Sequence, residues 1–179
     1  MCALVVAYDP EWPRRFEAER AVLEPVLVPW LDGGIHHIGS TSVPGLAAKP
    51  IIDMIAGVRD LDEARAAFAP LEELGYSHHP HRPEAHAFIA PGRHLHLTKP
   101  GSDLWRERLA FRDALRASPA LRDEYAAWKA RHAETDGYTA DKRPLVLRVL
   151  EDAGVELRPD AQRLSPEALA ARRGASTTR

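Results

Sequence analysis

One cysteine in 179 residues, Cys2, excludes an internal disulfide and fits a reducing compartment. A small hydrophobe or a terminal residue is the natural role for it, rather than a catalytic thiol. Long apolar runs are missing too: nothing approaches the ~18 to 20 residues that a membrane-crossing helix needs. The run Ala3–Val6 is too short for a signal core and lacks a basic leader before Tyr8-Asp9-Pro10. Nor is there a surplus of positive charge. With 24 Lys and Arg against 26 Asp and Glu, the formal net charge is −2, which speaks against a general nucleic-acid binder. The expectation is a cytoplasmic chain with no membrane and no nucleic-acid partner, acting on a small molecule or a nucleotide.

What is present is ordinary globular material, 45% hydrophobic and 28% charged, in a chain long enough for one well-buried core. No internal repeat or long linker interrupts it. Residues 1–154 read as one domain. Residues 155–179, with Pro159, Pro166 and a Gly-Ala-Ser-Thr-Thr stretch, read as a polar, loose tail.

Asp9-Pro10-Glu11 signals a helix start, and Trp12, Phe16, Leu23 and Leu27 recur at helical spacing, with Pro25 expected to kink or end the helix. Asp32-Gly33-Gly34 reads as a turn before a short strand, Ile35–Ile38. After a glycine- and proline-punctuated loop, Ile51–Val58 reads as an interior strand carrying a single acid, Asp53. Asp60 caps a second helix that Gly75 closes. Tyr76–His81 has no readable period. Ala85–Ile89 and Arg93–Thr98 form an expected hairpin around Ala90-Pro91-Gly92. Three helices follow, starting at Ser102, at Ser118-Pro119 and at Tyr138, the last running to Ala153.

Three features could carry chemistry. Gly39, Ser40, Thr41 and Ser42 place backbone N–H groups and hydroxyls at the end of a strand, an arrangement suited to a phosphate or to a plain helix-capping turn. Asp53, inside an apolar run, needs a partner, either a neighbour such as Lys49 or a bound cation. His94 and His96 share one strand face, roughly 6 to 7 Å apart, and could hold a metal, grip phosphate oxygens or simply face water. In the helical half Arg112 and Arg116 follow Phe111, Lys129 lies four residues after Tyr125, and Lys142 four after Tyr138. These cations reach a triphosphate only if their helices pack over the Ser40–Asp53 edge.

The run HIGSTSVPGLAAKPIIDM closely resembles the signature of the GrpB family, within the nucleotidyltransferase superfamily. The blocks YDPEWPRRFEAE, HLHLTKPGSDLWRERLAFRDALR and DGYTADKRPLVLRVLEDAG agree in the same order, so the resemblance covers roughly residues 5 to 154. It implies an α/β (α+β) fold, a nucleotidyltransferase-like mixed β-sheet flanked by helices with a helical C-terminal half. Gly39-Ser40 then matches the superfamily's glycine-serine loop and Asp53 its first catalytic acid. The implied chemistry is nucleotidyl transfer by a transferase that holds a divalent metal, Mg or Mn, on two or three carboxylates.

The sequence departs from that pattern at position 55, where Ile55 replaces the second acid, and the His94/His96 strand stands where the third is expected. Three readings follow. The first is a nucleotidyltransferase-like enzyme with Asp53, Lys49, Arg112, Lys129 and Lys142 as candidate catalytic residues and Gly39–Ser42 on the phosphates. The second is a transition-metal enzyme on the same scaffold using Asp53, His94 and His96. The third is a nucleotide or anion sensor without turnover.

Overall fold

Proline and apolar spacing shape the first element of the computed structural model, which describes residues 5–80, 82–132 and 142–156. Helix α1 (Trp12–Leu27) has a proline in its first turn and buries Trp12, Phe16, Leu23 and Leu27, the stripe expected from the sequence. Pro25 neither breaks nor ends it. The proline lies in the last turn, where one missing donor costs little, and the Val28 N–H closes the helix on the Glu24 carbonyl.

Strand β1 (Leu31–Ile38) is longer than predicted. The expected turn Asp32-Gly33-Gly34 lies inside it, because the register with β2 (Ile52–Val58) shifts between Leu31 and Ile35. Gly33 and Gly34, at φ 103° and 79°, absorb that bulge in conformations other residues rarely adopt. A one-turn 3-10 helix, Ser40–Ser42, follows β1. Beyond β2, Asp60 Oδ1 accepts from the Asp62 and Glu63 N–H groups at 2.8 and 3.1 Å. It thereby starts a 3-10 turn, Glu63–Ala67, that runs into α2 (Phe68–Glu73).

The segment with no readable period contains β3 (Ser77–His79), an exposed edge strand. The predicted hairpin is β4 (Ala85–Ala90) and β5 (Arg93–Thr98), paired from Ala90↔Arg93 to Ala85↔Thr98. Ser102 Oγ caps α3 (Asp103–Ala117) by accepting from Trp105 N–H, and Ser118 Oγ accepts from Leu121 N–H in α4 (Pro119–His132). The last described helix is α5 (Arg143–Asp152). Its predicted start at Tyr138, His81 at the end of the unread segment, Cys2, and the tail beyond residue 156 lie outside the described residues.

The sheet runs β1-β2-β5-β4-β3, with β2 and β5 parallel and the other pairs antiparallel, so it is mixed. One face, carrying Ile52, Met54, Ala56, Leu95 and Leu97, packs on α1 and α2. On the other, Ile38, Ile55 and Ala85 meet Leu104 of α3. A separate apolar cluster ties Val43 and Leu46 of the loop to Phe111, Tyr125 and Val149 of α3, α4 and α5. That cluster seats the helical half against the end of β1 and the start of β2. No helix among the described residues is long and apolar enough to cross a membrane.

Candidate functional site

Pairing brings the chemical residues into one row. Ile38 of β1 stands beside Asp53 of β2, and Asp53 beside His94 of β5. The partner that satisfies Asp53 is therefore His94 rather than Lys49: His94 Nδ1–H donates to Asp53 Oδ1 at 2.9 Å. This bond, ahead of the burial that opposes it, raises the His94 pKa above its ordinary value. With Nδ1–H committed, the neutral ring carries its lone pair on Nε2. About a third of each side chain remains exposed, so solvent and small ligands reach the pair.

Gly39 closes the acid from the other side. A methyl group there would fall 2.5 Å from Asp53 Oδ2, so only glycine admits the carboxylate at this point. His96, two residues beyond His94, pairs with Ile55. Among the described residues no three His, Cys, Asp or Glu side chains lie together as a metal-binding group, and Asp53, His94 and His96 are no exception. Ile55 is fully buried against Ile38, Ala85 and Leu104. A second carboxylate there would be desolvated among apolar side chains, at a cost of several kcal/mol unless paired.

The four loop residues divide. Thr41 and Ser42 are buried and turned inward. Thr41 Oγ1 donates to the Ile51 carbonyl at 2.9 Å and so must accept from His37 Nε2–H at 3.0 Å; Ser42 Oγ donates to the Gly39 carbonyl at 2.6 Å. His37, stacked on Phe16, is held neutral: burial first, then Arg116, lowers its pKa to about 4. Gly39 and Ser40 instead line a narrow cleft whose opposite wall is Arg108, Arg112, Phe111 and Leu115 of α3, Tyr125 of α4, and Lys142 at the start of α5.

The basic residues have different tasks. Arg112 grips Asp113 with two bonds, at 2.7 and 3.1 Å, and donates to the His37 carbonyl at 3.1 Å. Arg116 donates to the Ser42 carbonyl at 2.9 Å. Lys129 is buried, its ammonium donating to the Ala47 carbonyl and lying 5.1 Å from the Tyr125 ring centroid, so it clamps the loop. Burial, then the charge of Lys142, lowers its pKa to about 8. Lys49 sits half-buried in the loop.

Two cations in the cleft are less committed. Arg108 Nε is buried without a hydrogen-bond partner among the described residues. Lys142 Nζ lies 4.8 Å from the ring centroids of both Phe111 and Tyr125. Burial first, then Arg108, brings its pKa down to about 7, with Asp53 and Glu107 pulling the other way. Beneath them Glu107, almost fully buried, accepts from Arg143 at 2.7 Å and Arg82 at 3.2 Å, fixing the start of α5 on α3. Burial works to raise the Glu107 pKa, but Arg108, Arg82 and Arg143 outweigh it and hold it below the ordinary value. Arg108 and Glu107 are the residues the sequence reading missed. The available signal was the four-residue step from Arg108 to Arg112, which puts both on one helix face.

The model of the GrpB protein family matches residues 3–152. A UPF0157 protein of Halalkalibacterium halodurans is 37% identical over 139 residues, covering 73% of this chain and 69% of that one. The UPF0157 protein YqkA of Bacillus subtilis is 35% identical over 136 residues, and the chain spans only 38% of its length. The crystal structure of GrpB from Enterococcus faecalis superposes with a TM-score of 0.75 at 28% identity, covering 84% of this chain and 99% of that one. A chain of the GLD-2/RNP-8 complex shares the fold at a TM-score of 0.55 and 18% identity, over 88% of this chain and 65% of that one. The architecture is the nucleotidyltransferase-like mixed α+β fold.

Proposed function

The chain belongs to the GrpB family, and on that premise we propose that it is a nucleotidyltransferase-like enzyme whose cleft takes the phosphates of a nucleotide. The observation that carries this reading is Arg108, whose buried Nε lacks a hydrogen-bond partner among the described residues. An unmatched buried donor is costly to a fold, and a phosphate oxygen supplies what it lacks as a charge-assisted hydrogen bond. Arg112, Lys142, Gly39 and Ser40 line the same cleft and surround the same ligand.

Phosphates carrying Mg²⁺ or Mn²⁺ bring the ion with them. Asp53 offers one carboxylate, with Oδ1 held by His94 and Oδ2 beside Gly39. That donor set fits an ion borne mainly by substrate phosphates and water, rather than one caged by protein. Such an ion supplies neutralisation of charge on the phosphates. His94 Nε2 accepts a proton from an attacking hydroxyl while Asp53 holds the ring in orientation, and Arg108 and Arg112 balance charge as it develops.

Ile55 favours a second reading, a sensor that binds nucleotide or another anion without turnover, because the site of the second acid is filled by apolar packing. The transition-metal reading through Asp53, His94 and His96 draws less support, since the three are not gathered among the described residues. Calorimetry of ATP, CTP, GTP and UTP with Mg²⁺ or Mn²⁺ is the test. At least one should bind, Arg108→Gln should weaken it about tenfold or more, and Asp53→Ala should abolish metal-dependent turnover. If none binds, the cleft reading fails. Binding with no turnover in the wild type leaves the sensor.

A further inference from the structure

We propose that Lys142 is a covalent nucleophile, attacking the α-phosphorus of a nucleoside triphosphate in the cleft to form a nucleotidyl-lysine intermediate. This step rests on the reading of the cleft as a nucleotide site and adds the chemistry that the reading lacks. Lys142 lines the same cleft as Gly39 and Ser40, with its nitrogen against the Phe111 and Tyr125 rings at 4.8 Å from each centroid. The next residue, Arg143, is anchored on the buried Glu107, so the lysine projects from a fixed point. Among the described residues no carboxylate forms an ion pair with it. Lys129, the buried lysine of α4, is committed to the Ala47 carbonyl and is excluded as the reacting amine.

Among the described residues, the charged groups around Lys142 include Arg108, Glu107 and Arg112 on α3, Asp53 on β2 and Lys129 on α4. Burial, then Arg108, brings its pKa to about 7 against the pull of Asp53 and Glu107. The ring faces favour the cation and hold the nitrogen in place. In the free protein a sizeable neutral fraction therefore exists near neutrality, where an ordinary lysine is almost wholly ammonium. A bound triphosphate draws the amine back toward the ammonium, so the reacting fraction grows as pH rises above neutrality. Arg108 and Arg112 stay cationic throughout and can hold the phosphate oxygens without Lys142's charge.

The step balances. The lone pair of neutral Nζ forms a P–N bond as the P–O bond to pyrophosphate breaks, and that electron pair leaves with the pyrophosphate. The nitrogen releases its extra proton to water. In the second half the acceptor hydroxyl attacks phosphorus and gives its proton to His94 Nε2, the P–N bond breaks, and the departing amine takes up that proton in turn. Dividing the transfer in two lowers each barrier, which matters where Ile55 removes the second metal-holding acid.

The full chain is incubated with ATP, CTP, GTP or UTP and Mg²⁺, then measured by intact-protein mass spectrometry at mildly alkaline pH, where phosphoramidates survive. The expected result is a gain of one nucleoside monophosphate, reversed by pyrophosphate, mapping to Lys142 and absent from Lys142→Arg. Below the amine's pKa, the rate of adduct formation should rise about tenfold per pH unit. Nucleotide binding by Lys142→Arg is measured by calorimetry alongside, so that the missing adduct is read at saturating nucleotide. Wild-type binding without an adduct, or an adduct on another residue, overturns the proposal and leaves the cleft reading standing. Absence of nucleotide binding overturns both.

Discussion

The Asp53 carboxylate lies directly against the α-carbon of Gly39: a methyl group there would sit 2.5 Å from Asp53 Oδ2 and 3.0 Å from its Cβ. Gly39 also adopts φ 71° and ψ −173°, a region essentially reserved for glycine. The residue that follows β1 thus makes room for the acid near the start of β2, and Ile38↔Asp53 pairing fixes the two together. Loop and acid are one unit, so a change in either moves the other.

Gly39→Ala should cost about 2 to 4 kcal/mol, because backbone strain and the collision with Asp53 act together. Gly75 provides the control. It has φ +85°, but nothing lies within 4 Å of an added methyl, so Gly75→Ala should cost only the strain, about 1 to 2 kcal/mol. Urea unfolding of both variants checks this. Equal losses would show that the contact with Asp53 is not the cause.

The fold was more legible in the sequence than the site was. Periodicity marked α1 and the β4–β5 hairpin because each buries a regular apolar set on one face. Asp32-Gly33-Gly34 misled because a bulged strand and a turn use the same glycine chemistry, and only pairing with β2 separates them. At the site, Asp53 stood out as an acid in an apolar run, yet its partner lay 41 positions away on a strand whose neighbour could not be read locally. Thr41 and Ser42 looked like ligands because a hydroxyl's direction is set by its tertiary partners, here the Ile51 and Gly39 carbonyls. Arg108 was invisible for the opposite reason: its significance is a missing partner.

The His94–Asp53 bond sets a pH dependence of known sign. His94 has its folded pKa raised by Asp53, so its contribution to stability is fully present below the unfolded value of about 6.5. That contribution is lost as pH rises through the folded pKa. Asp53→Asn should therefore destabilise the protein more in mildly acidic than in mildly alkaline solution, and should lower the His94 pKa in an NMR titration. An unchanged His94 titration would mean that the bond is not maintained in solution.

Lys142 gives the opposite slope. Its folded pKa of about 7 lies below the ordinary lysine value, so between the two the unfolded chain binds more protons and this group's term makes stability rise with pH. An anion in the cleft favours the ammonium, so binding of tripolyphosphate should take up protons at and just above neutrality and weaken as pH rises. Calorimetry in buffers of different ionisation enthalpy measures that uptake. Lys142→Arg should remove it, since arginine stays charged throughout.

Arg108 and Lys129 should separate binding from stability. Arg108→Gln should weaken tripolyphosphate binding about tenfold or more, and it should lower the melting temperature modestly, because it also removes a positive charge that holds the buried Glu107 ionised. Lys129 is buried and donates to the Ala47 carbonyl, so Lys129→Met leaves that acceptor unmatched. The expected cost is about 1 to 3 kcal/mol of stability, with tripolyphosphate affinity close to wild type at temperatures where the variant is folded. Thermal unfolding paired with calorimetry on the same preparations reads both quantities. If Arg108→Gln keeps its affinity, the guanidinium serves only the fold, and the cleft loses the residue on which its ligand depends.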